Sequence, residues 1–247
     1  MPGRGEQLDP GLRVLASGMR KLGVGVSAER LRLFRVYYQE LRAWNRRMNL
    51  TAIEDEKEVM VKHFLDSLGC IGFVDFEPGM KVVDVGSGAG FPGLVLAVVV
   101  PGLKVTLVEA RAKRARFLEY MVGVLGLGDL EVAHIRAEDL GQKDGFREKF
   151  DRAVARAVAP MATLAEYCLP LLRVGGLMLA WKGPRVVEEM AGCEGGLKKL
   201  GGQVREIGRW QLPEGGGERT LVVVEKVAAT PGKFPRRAGI PGKRPLW

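Results

Sequence analysis

The sequence predicts an α/β fold: a doubly wound, mostly parallel sheet of seven strands that ends in an antiparallel hairpin and is preceded by a helical extension. Three observations lead to it. From Lys81 onward, short β-branched runs alternate with segments whose apolar residues recur at helical spacing, which is the pattern of βαβ units. The first run, KVVDV at 81–85, opens directly into a glycine turn, GSGAG, at 86–90. The last two runs, near 204–212 and 220–226, are joined by GGG at 215–217, a hairpin signal rather than a crossover.

Residues 1–7 are expected to be disordered. Leu8, Leu12, Leu15, Met19 and Leu22 recur at helical spacing, and Gly23 and Gly25 stop that helix. Ser27 can cap a second helix running to about Trp44, with Leu31, Phe34, Tyr38 and Leu41 inward and Arg32, Arg35 and Arg42 elsewhere. Such an amphipathic pair should pack on the main body. A short helix follows from about Asp55, a fair cap, and ends in HFLDSL at 63–68. With WNRRMNLTAI at 44–53, it holds many polar groups among apolar ones. Either Asn49 and Thr51 satisfy backbone groups in a turn and His63 pairs with Asp66, or the segment walls a substrate or cofactor pocket.

Val82, Val83 and Val85 suit a strand buried on both faces. Gly86, Gly88 and Gly90 let the backbone turn tightly and approach a ligand. Pro92 suits the first turn of the next helix, a buried one at 94–100. Strand two is 104–108, followed by a basic helix at 112–125 with Phe117, Leu118, Met121 and Leu125 inward. Strands three and four are expected at 130–135 and 151–155. A helix over 161–172 should end at Gly175–Gly176, before strand five at 177–181 and a last helix at 184–200. The chain thus divides into a helical extension (1–60), the α/β domain (61–228) and a basic, proline-rich tail (229–247).

The 247 residues carry a net charge of +9, unevenly placed. Residues 1–50 hold +6 and residues 231–247 hold +5, leaving the middle at −2. Basic ends on a nearly neutral body suggest a phosphate-rich partner, with Arg46, Arg47, Lys233, Arg236, Arg237, Lys243 and Arg244 as the contacts. The tail's four prolines are expected to deny it helix and sheet. No apolar run reaches the roughly 18–20 residues of a membrane span. Cys70, Cys168 and Cys193 are far apart and odd in number, so reduced thiols, no metal and a cytoplasmic location are expected. No protein partner is evident.

Ligands of such sheets bind beyond the carboxyl ends of the strands. The candidates are Gly86, Ser87, Gly88 and Phe91 after strand one, and Glu109, Ala110 and Arg111 after strand two. Arg136, Ala137, Glu138 and Asp139 follow strand three, and Arg156 follows strand four. The motif D-x-G-x-G-x-G at 84–90 resembles the first motif of Rossmann-like S-adenosylmethionine (SAM) methyltransferases. Its spacing is not the G-x-G-x-x-G of dinucleotide sites, which argues against a nicotinamide dehydrogenase. Glu109 follows Gly86 by 23 positions, where a carboxylate should accept from both ribose hydroxyls of an adenosyl group. Ala137 and Glu138 are expected at the adenine. Neither an N-P-P-Y motif nor a Pro-Cys pair stands after strand four, and Arg156 offers no nucleophile.

The whole pattern is similar to the glucose-inhibited division protein B family, small-subunit ribosomal RNA guanine-N7 methyltransferases. The resemblance rests on WNRRMNLTAI (44–53), HFLDSLG (63–69), VVDVGSGAGFPG (82–93), VEARAKRARFL (108–118), RAED (136–139), FDRAVARAVAP (150–160) and FPRRAGIPGKRPL (234–246). It implies methyl transfer from SAM to N7 of a guanine in the decoding-region loop of 16S rRNA, with that RNA or the small subunit as partner. Guanine N7 has an in-plane lone pair and no proton to lose, so catalysis reduces to alignment. Arg156 is then expected to bind the methionine carboxylate or guanine O6. A SAM-binding assembly module, or a methyltransferase of another RNA, stays open.

Overall fold

The computed structural model describes residues 9–183 and 185–247. Residues 1–7, Leu8 and Pro184 lie outside the described residues. The first helix, α1 (Pro10–Lys21), begins at Asp9, whose carboxylate accepts from Leu12 N at 2.8 Å. Ser27 caps α2 (Ala28–Met48), which runs past Trp44 until Asn49 takes a left-handed conformation. Its buried stripe is Leu31, Phe34, Tyr37, Leu41 and Asn45. Tyr37, not Tyr38, is therefore the inward residue. Both fit a three-or-four spacing after Phe34, and only the neighbouring glycine loop, which receives the Tyr37 hydroxyl, distinguishes them.

Asp55 caps α3 (Glu56–Val59), accepting from Glu58 N at 2.9 Å. The chain then continues through a π-helical turn (Met60–Leu65), α4 (Asp66–Leu68) and a 3-10 turn (Gly69–Gly72). Residue 60 thus lies within one continuous helical run.

The α/β part follows as β1 (Lys81–Val85), α5 (Gly93–Val99), β2 (Lys104–Val108), α6 (Ala112–Leu125), β3 (Leu130–Ala133), α7 (Ala137–Leu140) and β4 (Phe150–Arg156). It continues with α8 (Met161–Cys168), β5 (Leu172–Lys182), α9 (Val186–Met190), α10 (Cys193–Leu200), β6 (Gly202–Leu212) and β7 (Gly217–Lys226). The seven strands lie in the order β3-β2-β1-β4-β5-β7-β6. β7, inserted between β5 and β6, is antiparallel to both, and the remaining neighbours pair in parallel.

Strand three, expected at 130–135, ends at Ala133, and two boundaries further along differ more. The helix at 161 ends at Cys168, a 3-10 turn covers Leu169–Leu171, and β5 starts at Leu172. Gly175 and Gly176 do not end a helix. They sit in β5 where its pairing with β4 jumps from Phe150–Leu172 to Arg152–Leu177. A bulge there needs the positive φ of Gly175 (83°). The expected helix at 184–200 is two helices, α9 and α10, parted at Gly192.

The strands alternate side chains between two cores, as their period of two requires. Val82, Val105, Leu107, Val154 and Leu179 join Leu12, Phe34, Tyr37 and Phe117 on the face covered by α1, α2, α5 and α6. Val83, Val85, Ala153, Met178 and Val222 face Met161, Leu164, Cys168 and Leu197 of α8 and α10. Among the described residues, no helix is long and apolar enough to cross a membrane.

The tail corrects the expectation of a segment without regular structure. It forms a short helix, α11 (Ile240–Lys243), with Pro241 in the first turn, where a missing N–H costs nothing. Thr230 and Phe234 are buried. The Arg147 guanidinium donates to the carbonyls of Gly141 (2.9 Å), Thr230 (2.7 Å) and Phe234 (2.7 Å). Trp247 Nε1 donates to Glu189 O at 2.9 Å.

Candidate active site

β1 delivers its chain into a loop with positive φ at Gly86 (73°), Gly88 (58°) and Gly90 (95°). Any Cβ at Gly86 would stand 2.7 Å from Val158, so the glycine serves packing as well as backbone freedom. Beneath the loop Asp84 is fully buried, its Oδ2 accepting from Gly93 N at 2.8 Å. Burial pushes its carboxyl up to about 7.

Glu109 at the end of β2 is 6% exposed. Its Oε1 accepts from Arg111 N at 2.8 Å and its Oε2 from Gly88 N at 3.1 Å. A cleft of about 320 Å³ opens here. Gly86, Glu109, Ala110, Arg111, Ala137 and Glu138, six of the residues expected at the cofactor, line it. Gly88 joins them through its amide on Glu109. The cleft crosses the ends of β1, β2 and β3 in turn, with glycine backbone at one end, the Glu109 carboxylate between, and backbone with a buried acid at the other.

At that far end Glu138 Oε1 accepts from Gly239 N of the tail at 2.8 Å. Tyr167 also lines the cleft. Burial, and next the Glu138 charge, pushes its phenol up to about 12.

Two expected ligands are placed otherwise. The Phe91 ring is stacked on Tyr37 (5.4 Å) and His63 (4.6 Å) in the core between the glycine loop and the helical extension. Arg156 is not the open cation expected after β4. Its Nη1 donates to Asp66 Oδ2 at 2.9 Å and to Lys62 O at 3.1 Å, and its Cζ lies 4.9 Å from the Phe91 ring centroid. The physical reason is Asp66: a carboxylate this buried requires a counter-charge, and Arg156 together with Arg219 (3.4 Å) supplies it.

His63 does not pair with Asp66. Arg156 Nη2 approaches His63 Nδ1 at 3.3 Å, so Nδ1 accepts and Nε2 donates to Thr51 Oγ1 at 2.7 Å. Burial, and then the Arg156 charge, lowers His63 to about 3, so the ring is neutral. Thr51 Oγ1 also accepts from Ile53 N, and Asn45 Oδ1 from Thr51 N. Asn45, Thr51, His63, Arg156 and Asp66 thus form one network.

The expected nucleic-acid contacts also separate. Arg46, Arg47, Lys233, Arg237, Lys243 and Arg244 are exposed. Arg236 instead makes a bidentate pair with Glu166, Nη2 to Oε2 at 2.5 Å and Nε to Oε1 at 2.9 Å. Glu166 is fully buried, so this arginine is a structural counter-charge.

Comparison with known proteins agrees with this geometry. The profile of the family described as rRNA small subunit methyltransferase G matches residues 30–213. The chain belongs to this family. A relative from Pelotomaculum thermopropionicum, named ribosomal RNA small subunit methyltransferase G, is 47% identical over 94% of this chain and 97% of its own. Another of that name, from Symbiobacterium thermophilum, is 46% identical over the same shares. Among solved structures, a SAM-dependent methyltransferase from Aquifex aeolicus superposes with a TM-score of 0.53 at 19% identity, covering 72% of this chain and 97% of that one. A SAM-dependent O-methyltransferase from Thermotoga maritima gives 0.50 at 21% identity, covering 77% and 72%. The fold is therefore the Rossmann-like fold of SAM-dependent methyltransferases.

In this methyltransferase three site residues escape a reading of the sequence. Tyr37 donates to Ala89 O at 2.7 Å and holds the glycine loop from the helical extension. Tyr167 and Glu166 on α8 reach Glu138 and the tail. The helical stripe of α2 takes Tyr38 inward in place of Tyr37, and the neighbouring pair Glu166–Tyr167 carries no motif at all.

Proposed function

We propose that the protein transfers the methyl group of SAM to N7 of a guanine in the decoding-region loop of 16S rRNA, acting in the cytoplasm on that RNA or the small ribosomal subunit. The observation that carries this reading is that the acids at the cleft are engaged and no base stands open. Glu109 accepts from two backbone amides and Glu138 from a third. Burial holds Tyr167 protonated, and no histidine or cysteine is among the lining residues described. A nucleophile with no proton to lose needs none of these as a base.

Bound in this cleft, SAM supplies a methyl group activated by its sulfonium charge. The chain's own residues bind and orient. Glu109 accepts from the ribose hydroxyls. The Gly86–Gly88 backbone admits the methionine portion, while Ala110, Arg111, Ala137 and Glu138 border the adenosyl portion. The target ring gains positive charge as N7 is methylated, and a bare cation beside it would oppose this. Pairing with Asp66 removes that opposition from Arg156. Arg156 is therefore a positioning residue: it ties β4 to the 62–66 segment.

The test is mass spectrometry of 16S rRNA from cells with and without this gene, with turnover by the purified protein on naked rRNA and on small subunits. Loss of one 7-methylguanosine is expected. Its persistence without the gene would overturn the reading. SAM binding with no turnover on either substrate would favour an assembly factor, and methylation of a different RNA would reassign the substrate.

A further inference from the structure

We propose that the cleft between the C-terminal end of α2 and the first turns of α6 is a binding site for single-stranded RNA. It seats one base on Trp44 and the neighbouring phosphates on Arg46, Arg47, Lys113 and Arg116. The proposal rests on the rRNA reading above and names where on the surface the strand lies.

The cleft has a volume of about 640 Å³ and is lined by Ala43, Trp44 and Met48 besides those four cations. That is ample for a nucleoside. Its walls are apolar and basic, with no acid among the lining residues described. All four cations are exposed, and none forms a salt bridge among the described residues.

Stability does not account for this arrangement at α6. That helix carries Lys113 and Arg116 near its N-terminus, with no acid in its first turn and no side-chain cap. The helix dipole favours the opposite sign there. Arg46 and Arg47 do suit the end of α2, so α6 is the informative wall.

Trp44 is already oriented. It meets Phe117 edge-on at 5.5 Å and Tyr120 at 5.1 Å, so little ordering is left for binding. An aromatic floor between cations is how proteins hold single-stranded nucleic acid: bases stack on the ring and phosphates meet the charges. Placement supports the same occupant. α6 starts directly after Glu109–Arg111, and Arg114 of its first turns lines the cofactor cleft. Lys113 and Arg116 line the other cleft from those same turns. A strand held there lies beside the methyl-transfer site.

The experiment measures binding of a labelled single-stranded oligoribonucleotide to the full chain over a range of salt. The variants are Arg46→Ala/Arg47→Ala, Lys113→Ala/Arg116→Ala and Trp44→Phe. Each double variant should lower the slope of log affinity against log salt by about 1.4 and weaken binding roughly ten-fold or more. Trp44→Phe keeps an aromatic packing partner and should weaken binding less, with an unchanged slope. Melting temperature should not fall in the two double variants, and calorimetric SAM affinity should not move in any of the three. Unchanged slopes in both double variants would overturn the proposal. So would variants that bind naked RNA normally but lose intact small subunits, since the cleft would then take a ribosomal protein. Wild-type turnover on small-subunit RNA, measured alongside, tests the function separately: its failure leaves the salt slopes to decide the cleft.

Discussion

At the end of α2, Arg46 and Arg47 stand in solvent beside an open cleft. In the tail, Arg236 is drawn onto fully buried Glu166, and Phe234 beside it is buried too. In the sequence the two regions look alike, each a surplus of arginine and lysine at one end of the chain. What separates them is an acid 70 positions away. Net charge indicates the kind of partner. It does not say which cations face that partner and which neutralise the protein's own interior. The tail also reaches the cleft proposed for SAM through the Gly239–Glu138 bond, whereas the α2 end borders the neighbouring cleft.

The largest expected effect breaks or upholds this contrast directly. Arg236→Ala leaves Glu166 buried without its partner and should cost about 3 kcal/mol of stability by chemical denaturation. Unchanged stability with reduced RNA affinity would return Arg236 to the role of an RNA contact. Next is Glu109→Ala, which should weaken SAM by roughly one to two decades in calorimetry without lowering the melting temperature comparably. Glu138→Gln should weaken SAM less, through loosened anchoring of the tail. Equal SAM affinity in both would remove the cleft assignment.

A third effect extends the contrast to the internal cation Arg156. The folded His63 lies at about 3, below its ordinary 6.5, so between these values the unfolded chain binds the extra proton. Stability from this group is therefore present above pH 6.5 and lost as pH falls. The cost of His63→Gln should shrink by about 2 kcal/mol between pH 6.5 and 5. A cost independent of pH would mean that the histidine is not held neutral. Smallest of all, Arg46→Ala/Arg47→Ala should leave stability within about 0.5 kcal/mol, and a larger loss would make the α2 end structural like the tail.

What the sequence by itself determined is local. β2 and α6 lie where β-branched runs and helical periodicity place them, at 104–108 and 112–125. Ser27 and Asp55 cap the helices they precede. The glycine turn and Glu109 come together at one cleft because strand ends in a parallel sheet converge on one edge. The elements and caps follow from conformational preferences within a few residues, and the meeting of the glycine turn with Glu109 follows from the βαβ order of consecutive strands. Tertiary structure decided what depends on a distant partner. Tyr37 rather than Tyr38 faces inward because Ala89 O lies 52 positions away. Gly175 forms a bulge because β4 sets the register. Arg156 closes on Asp66 across 90 positions, and Arg236 on Glu166 across 70. A buried carboxylate requires a counter-charge from whichever cation the fold brings near. Residue type announces that need, and only the folded chain selects the partner.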